Sequence, residues 1–189
     1  MQMDNMDNKQ QFMHTPQYPV ILCGFMGCGK TTIGKRIAKL SNLKFIDMDD
    51  YIVDKAGMPI KEIFEKYGEN YFRDLEHNAC KDIAKMKGVI IAAGGGALTF
   101  ERNIKALKEH NGRIIFIEVP LNEIAKRLRG DKSRPMLNCK DKDKAMKELY
   151  EKRYPLYKAA ADYIIDGCDK PDKVAQVILK FINITDKVM

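Results

Sequence analysis

The stretch CGFMGCGKTT, residues 23–32, places three glycines and a lysine directly after a short apolar run, Val20 to Leu22. The residues that follow it carry apolar side chains at intervals of four and three, which is typical of one face of a helix. A strand, a glycine-rich loop and a helix therefore come in sequence. With the pattern Gly-x-x-x-x-Gly-Lys-Thr at 24–31, this order is typical of the phosphate-binding loop.

Each residue type in this loop has a chemical reason to be there. Glycines let successive backbone N–H groups turn toward an anion, and the start of a helix adds partial positive charge. Lys30 can reach the β- and γ-phosphates, and the Thr31 hydroxyl can coordinate Mg²⁺. The alternative is a glycine-rich turn that ends in Gly-Lys-Thr by chance, which the flanking strand and helix disfavour. The sequence predicts that the chain binds a nucleoside triphosphate.

The composition is that of an ordinary water-soluble domain. The chain has 189 residues, of which 45% are hydrophobic and 31% charged. No apolar run approaches the roughly 20 residues that span a membrane. Residues 1–17 lack the apolar segment of a secretory signal, and we expect them to form a disordered tail before a single domain at 18–189.

The cysteines, the histidines and the net charge say less about the function than the phosphate loop does. The five cysteines show no paired metal-ligand spacing, and their odd number argues against a disulfide framework. We expect reduced thiols, as in a cytoplasmic protein. The three histidines are scattered and predict no zinc site. The net charge of +7 fits an anionic small-molecule substrate beside ATP as well as it fits a nucleic acid.

Apolar runs and helical patterns alternate along the rest of the chain. Further strands are predicted at 44–49, 88–96, 113–119 and 162–166, and helices at 30–41, 59–86 with a break near Gly68, 99–110, 121–129, 141–160 and 171–183. Strands that are apolar on both faces indicate a parallel sheet covered on both sides. The predicted fold is a three-layer, doubly wound α/β domain that binds ligands at the carboxyl ends of its strands. The long polar segment 129–143 is predicted to be a lid.

Three classes of phosphate-loop protein compete: a small-molecule kinase, a GTP-type switch and a nucleic-acid-dependent motor. A switch needs Asn-Lys-x-Asp after a strand, but in NCKD, at 138–141, the lysine comes one place late and no strand precedes it. Motors are usually larger and carry a further acidic pair that activates water. The kinase is favoured.

Two carboxylates stand at the predicted end of the second strand. Asp47 and Asp49 are two residues apart, so an extended chain would send both to the same side. One could then hold Mg²⁺ through water and the other a substrate hydroxyl. An equally weighted alternative is that Asp49 or Asp50 only caps the helix that follows.

Other candidates each have an ordinary structural explanation when taken alone. Arg73, in IFEKYGENYFRDLE, could be a surface salt-bridge partner. The three glycines in AAGGGAL, 92–98, indicate a close approach to the backbone or simply a tight turn. The basic residues around and beyond the predicted lid could form a solvated surface: Arg127, Arg129, Lys132, Arg134 and Arg153.

The combination resembles the shikimate kinase family, within the nucleoside-monophosphate-kinase structural group. The resemblance runs from residue 19 to about 182. Its carriers, in order, are GFMGCGKTT, DMD, GENYFRDLE, GGG, RPML and RYPLY. Met136 stands where leucine is commoner in the lid motif, which is a conservative difference.

The resemblance implies a five-stranded parallel sheet in the order 2-3-1-4-5, with a lid at about 127–143. It also implies transfer of the γ-phosphoryl group of ATP to the 3-hydroxyl of shikimate, a step toward chorismate and the aromatic amino acids. Mg²⁺ would accompany ATP. The implied protein is a cytoplasmic monomer whose partners are these small molecules, without nucleic acid or membrane.

The resemblance also assigns residues, position by position. The implied ATP-binding residues are Gly27, Cys28, Gly29, Lys30, Thr31, Thr32, Arg127 and Arg134. Those for the metal are Thr31 and Asp47, and those for shikimate are Asp49, Arg73, Gly95 and Arg153. Lys30, Asp49 and Arg134 would be catalytic; Asp49 would orient the attacking hydroxyl, with its role as a base left open. The stretch 167–172 would lie against the adenine.

Overall fold

The computed structural model describes residues 15–129 and 142–185. Five parallel strands form one sheet in the order β2-β3-β1-β4-β5, which confirms the predicted topology. The strands are β1 (Val20–Cys23), β2 (Lys44–Asp47), β3 (Val89–Ala92), β4 (Arg113–Glu118) and β5 (Tyr163–Asp166). Every residue of β1 and β3 is buried, as expected of central strands covered on both faces.

The helices follow the strands as the sequence predicts, except that the helix Met48–Ala56 was not among the predicted helices. They are α1 (Lys30–Leu40), α2 (Met48–Ala56), α3 (Ile60–Ala84), α4 (Glu101–Lys108), α5 (Leu121–Arg127), α6 (Lys142–Ala160) and α7 (Pro171–Thr185). α1 packs against α7, and α3 packs against α4. Within α3 the predicted break is present at Gly68, whose φ of 80° and ψ of 178° are not helical.

One local prediction at the end of β2 is wrong. The strand was expected to reach residue 49, but it ends at Asp47, and α2 begins at Met48. The reason is a helix cap: Asp47 Oδ1 accepts a hydrogen bond from the Asp49 N–H at 3.1 Å. Asp47 and Asp49 are thus not strand neighbours on one side, and the capping residue is Asp47 instead of Asp49 or Asp50.

The residues just before β1 pack against the rest of the domain. Pro16 is buried, and its carbonyl accepts a hydrogen bond from Gly88 N at 3.0 Å. Residues 1–14 of the predicted tail lie outside the described residues, as does most of the predicted lid. Among the described helices, none combines the length and apolar character that crossing a membrane requires.

Candidate active site

The phosphate loop lies between β1 and α1, at the carboxyl end of the central strand. Gly24, Gly27 and Gly29 have φ angles of 146°, 77° and 99°, which residues other than glycine rarely adopt. At Gly24 a Cβ atom would also lie 2.7 Å from the Ile117 carbonyl oxygen. The glycines of the motif are therefore required by the path of the backbone.

Lys30 opens α1 and lies across this loop. Its Nζ donates hydrogen bonds to the carbonyls of Gly24, at 2.8 Å, and Phe25, at 3.2 Å. Nζ also lies 3.7 Å from Cys28 Sγ. The ammonium group is thereby held against the backbone of the phosphate loop.

Thr31 and Asp47 meet at the ends of α1 and β2. Thr31 Oγ1 donates to Asp47 Oδ2 at 2.9 Å, although the residues are 16 positions apart. A hydroxyl and a carboxylate are hard oxygen donors, and Mg²⁺ in phosphate sites commonly takes one or two such protein ligands plus phosphate oxygens and water. The pair fits Mg²⁺. The described residues contain no group of three or more carboxylate, histidine or cysteine side chains that could enclose a metal without a phosphate.

Arg127, at the end of α5, joins the phosphate loop to the segment after β5. One of its terminal nitrogens donates to the Cys28 carbonyl at 3.3 Å, and the other to the Gly167 carbonyl at 2.8 Å. Gly167 begins the stretch 167–172 in which the adenine contact was expected. Arg127 therefore lies between two segments that the sequence assigned to the nucleotide.

The three glycines after β3 lie against charged side chains, and Gly94 lies against two of them, Asp49 and Glu76. A Cβ atom at Gly94 would lie 2.7 Å from Asp49 Oδ1, and one at Gly96 would lie 2.8 Å from an Arg73 terminal nitrogen. At Gly95 the corresponding distance to an Arg153 terminal nitrogen is 3.4 Å. A Cβ atom at Gly94 or Gly96 would displace the end of the Asp49 or Arg73 side chain, whereas one at Gly95 would be in ordinary van der Waals contact. The close approach, and not only a tight turn, accounts for the glycines at 94 and 96.

Arg73 is held by two carboxylates of its own helix. Its Nε and one terminal nitrogen donate to Glu69 Oε1, at 3.2 and 2.9 Å, and the other donates to Glu76 Oε2 at 3.1 Å. The guanidinium also lies 5.1 Å from the centroid of the Phe100 ring. These contacts fix the direction of the arginine before any substrate binds.

Glu76 is a site residue that the sequence interpretation missed. It is only 1% exposed, and burial raises the pKa of its carboxyl, while the Arg73 charge acts in the opposite direction. Asp49 and Arg153 are close enough to affect the same carboxyl. Its spacing of three from Arg73 on a helix was the available signal, but spacing alone does not distinguish a buried partner from a surface one.

The other predicted residues have the following positions. Thr32 is exposed in the first turn of α1 and lines a surface recess with Thr31, Lys35 and Arg36. Arg134 lies outside the described residues. Two sets are thus brought together: the phosphate loop with Thr31 and Asp47, and the charged groups around 94–96.

Comparison with known proteins identifies the family. The family model described as shikimate kinase matches residues 26–183, more than half of the chain. The chain belongs to the shikimate kinase family. Shikimate kinase from Caldanaerobacter subterraneus is 41% identical over 85% of this chain and 94% of its own length. The enzyme from Clostridium botulinum strain Alaska E43 is 44% identical over 86% of this chain and 96% of its own length.

Solved structures agree with the family assignment. Shikimate kinase from Acinetobacter baumannii, in complex with shikimate, superposes with a TM-score of 0.82 at 34% identity, over 94% of this chain and 98% of that one. A gluconokinase from Sinorhizobium meliloti reaches 0.60 at 14% identity, over 93% of this chain and 98% of its own, which shows a common fold alone. As a member of the shikimate kinase family, the chain is an ATP-dependent kinase of the shikimate pathway.

Proposed function

We propose that the chain transfers the γ-phosphoryl group of ATP to the 3-hydroxyl of shikimate. The observation that carries the proposal is the row of three glycines against Asp49, Arg153 and Arg73, beside the phosphate loop. Two guanidinium groups and the Asp49 carboxylate beside a half-buried backbone suit a small hydroxylated acid. A nucleotide kinase has no evident need for this set. Gluconate is also a hydroxylated acid, and membership of the shikimate kinase family supports shikimate over it.

Arg73 and Arg153 bind the carboxylate of shikimate. Guanidinium groups fork onto carboxylates through paired N–H donors, which gives both charge and geometry. Arg73 has five N–H donors, and its contacts with Glu69 and Glu76 use three of them. One N–H on each terminal nitrogen is left, which supports a role in binding a further anion.

Asp49 orients the hydroxyl that attacks. It is half-buried at the start of α2 and lies against Gly94, on the side of the site where Arg73 and Arg153 converge. A carboxylate there accepts a hydrogen bond from a ring hydroxyl and turns the oxygen lone pair toward the phosphoryl group. Through the same hydrogen bond, Asp49 accepts the proton of the attacking hydroxyl. The N–H of Gly95 contributes a donor at close range.

The phosphate loop and the residues around it bind the phosphates of ATP, including the phosphoryl group that is transferred. The phosphates of ATP are bound by the loop backbone at Gly27, Cys28 and Gly29 and by Thr31 and Thr32 in the first turn of α1. When ATP binds, Lys30 exchanges its hydrogen bonds to loop carbonyls for hydrogen bonds to phosphate oxygens. Arg127 serves the nucleotide near 167–172. Arg134 brings positive charge to the transferring group, by its match to the lid arginine of the family.

Mg²⁺ is the implied metal, and Thr31 and Asp47 are the residues that would hold it. When bound, it neutralises phosphate charge during transfer. We also propose that the protein works in the cytoplasm as a monomer. The four described cysteines, 23, 28, 80 and 168, are free, which is consistent with a reducing compartment.

A coupled assay of ADP release tests the function. The wild-type chain is supplied with ATP, Mg²⁺ and one acceptor in turn: shikimate, quinate, gluconate or a nucleoside monophosphate. We expect rapid release with shikimate, and Lys30→Ala as the control should remove it. Equal or faster turnover with gluconate or a nucleoside monophosphate would contradict the proposed acceptor.

A further inference from the structure

Tyr157, on α6, is a buried tyrosine to which neither the sequence nor the family assignment gave a role. Its side chain is among the largest that are fully buried, with 1% of the residue exposed. A tyrosine hydroxyl in such surroundings needs hydrogen-bond partners. Tyr157 donates to the carbonyl of Gly95, and the Arg153 guanidinium lies close enough to the hydroxyl to lower the pKa of Tyr157.

Both residues beside this hydroxyl are proposed shikimate-binding residues. Arg153 and Tyr157 are four residues apart on α6, so their side chains lie on one face of the helix. Gly95 lies in the loop after β3. A Cβ atom placed on it would lie 3.4 Å from an Arg153 terminal nitrogen. The three residues therefore lie together where α6 meets this loop.

The tyrosine is itself held firmly and stays protonated. Its ring packs 5.7 Å, centroid to centroid, from the ring of Phe116 on β4. Burial raises the pKa of Tyr157 to about 12, while the Arg153 charge opposes that rise. At neutral pH the hydroxyl therefore always has a proton to donate to Gly95 and a lone pair available to Arg153.

We propose that Tyr157 is a positioning residue for the acid substrate: its hydroxyl sets the direction of the Arg153 guanidinium and the place of the Gly95 backbone together. This inference rests on the proposed function, because it assumes that Arg153 and Gly95 meet shikimate. The affinity for the carboxylate then depends on a hydroxyl that does not touch the substrate. Binding of ATP, at the phosphate loop, does not depend on it.

The substitution Tyr157→Phe removes the hydroxyl and keeps the ring. We expect the dissociation constant and KM for shikimate to rise roughly three- to tenfold, the effect of one hydrogen bond. KM for ATP should stay at its wild-type value. Shikimate binding is measured by calorimetry and both KM values by ADP release.

Tyr150→Phe is the matched control. Tyr150 is on the same helix, and its hydroxyl also donates to a backbone carbonyl, that of Val119, at 3.1 Å. That carbonyl has no role in the proposed acid site. We expect this variant to keep wild-type affinity for shikimate, even if its melting temperature falls as far as that of Tyr157→Phe. An equal loss of shikimate affinity in both variants would overturn the inference, because it would indicate general loosening of α6.

A double-mutant cycle tests whether Tyr157 acts through Arg153. In an Arg153→Ala background, Tyr157→Phe should weaken shikimate binding less than it does in the wild type. Fully additive losses would overturn the positioning role. If the wild-type chain binds shikimate and Tyr157→Phe binds it equally well, the inference alone fails. If the wild-type chain does not bind shikimate, the proposed function fails, and this inference with it.

Discussion

The hydroxyl of Thr31 donates a hydrogen bond to the carboxylate of Asp47 across 2.9 Å, linking the first turn of α1 to the end of β2. The other oxygen of Asp47 caps α2 through the N–H of Asp49. One carboxylate thus bonds the first turn of α1 and caps the helix that carries Asp49, which lies beside Gly94.

Asp47→Asn should separate the two tasks of this residue. Asparagine caps helices about as well as aspartate, so the melting temperature should change little. The metal site loses its negative charge, so turnover should fall and be partly restored by raised Mg²⁺ concentration. Asp49→Asn should lower turnover strongly without such rescue, because an amide orients the hydroxyl poorly and accepts no proton. Identical Mg²⁺ responses of the two variants would refute this division.

Lys30→Ala should abolish transfer while the fold persists. The variant loses the mobile charge over the loop, but the glycine conformations that shape the loop do not depend on it. We expect turnover to fall on the order of a hundredfold or more, as when one preorganised charge-stabilising donor is removed. Steady-state turnover and far-ultraviolet circular dichroism measure the two effects. Near wild-type turnover would show that the nucleotide site is elsewhere.

Arg73→Lys and Arg153→Lys should each weaken shikimate binding on the order of tenfold or more. A charge-assisted bond contributes about 1.5–3 kcal/mol, and an ammonium group cannot reproduce the fork of a guanidinium. The affinity for ATP should change little, and calorimetry with each ligand measures both constants. Wild-type shikimate affinity in Arg73→Lys would contradict the assignment.

Arg134→Ala provides the contrasting profile for the same acid site. We expect near-normal affinity for shikimate and a large fall in turnover, since the charge would act on the transferring phosphoryl group. A rise in the shikimate dissociation constant as the main effect would contradict this role.

Glu76 should make the stability of the fold depend on pH. Because burial raises the pKa of its carboxyl, the folded chain binds more protons than the unfolded chain in the window above the ordinary glutamate value of 4.5. The free energy of unfolding should therefore fall as pH rises through that window. Glu76→Gln should remove this part of the fall, which thermal melting from pH 4 upward measures.

Glu69→Gln is the control for this titration. Glu69 bonds the same arginine but its side chain is 63% exposed, so desolvation is small. The control should keep the wild-type slope of stability against pH. A Glu76→Gln variant with that same slope would show that the buried carboxyl does not titrate there.

The cysteines should react with thiol reagents according to their burial. Cys168 is exposed, whereas Cys23, Cys28 and Cys80 are buried, and burial raises the pKa of Cys80 to about 12. In the native protein we expect Cys168 to react before these three, and Cys168→Ser to remove that fast phase. After denaturation without reductant, all five thiols should titrate. A lower count would indicate a disulfide.

The sequence by itself determined the sheet and the phosphate loop, because both are encoded in neighbouring residues. Apolar strands alternating with helical patterns require a covered parallel sheet, and the glycine spacing at 24–29 permits one kind of loop. The resemblance to a family extended this to the strand order and to most candidate residues, including Asp49 and Arg73. These features can be predicted without knowing which segments are in contact in the folded chain.

Tertiary structure alone decided how the distant groups of the proposed acid site come together and which residues support them. The parallel order of β2, β3 and β1 brings the carboxyl ends of these strands together, so that Arg73 and Arg153, eighty positions apart, reach adjacent glycines. It also buried Glu76 and Tyr157, which in the sequence look like ordinary helix residues. Burial is a property of the assembled layers, and a helical spacing of three or four is the same for a solvated pair and a buried one.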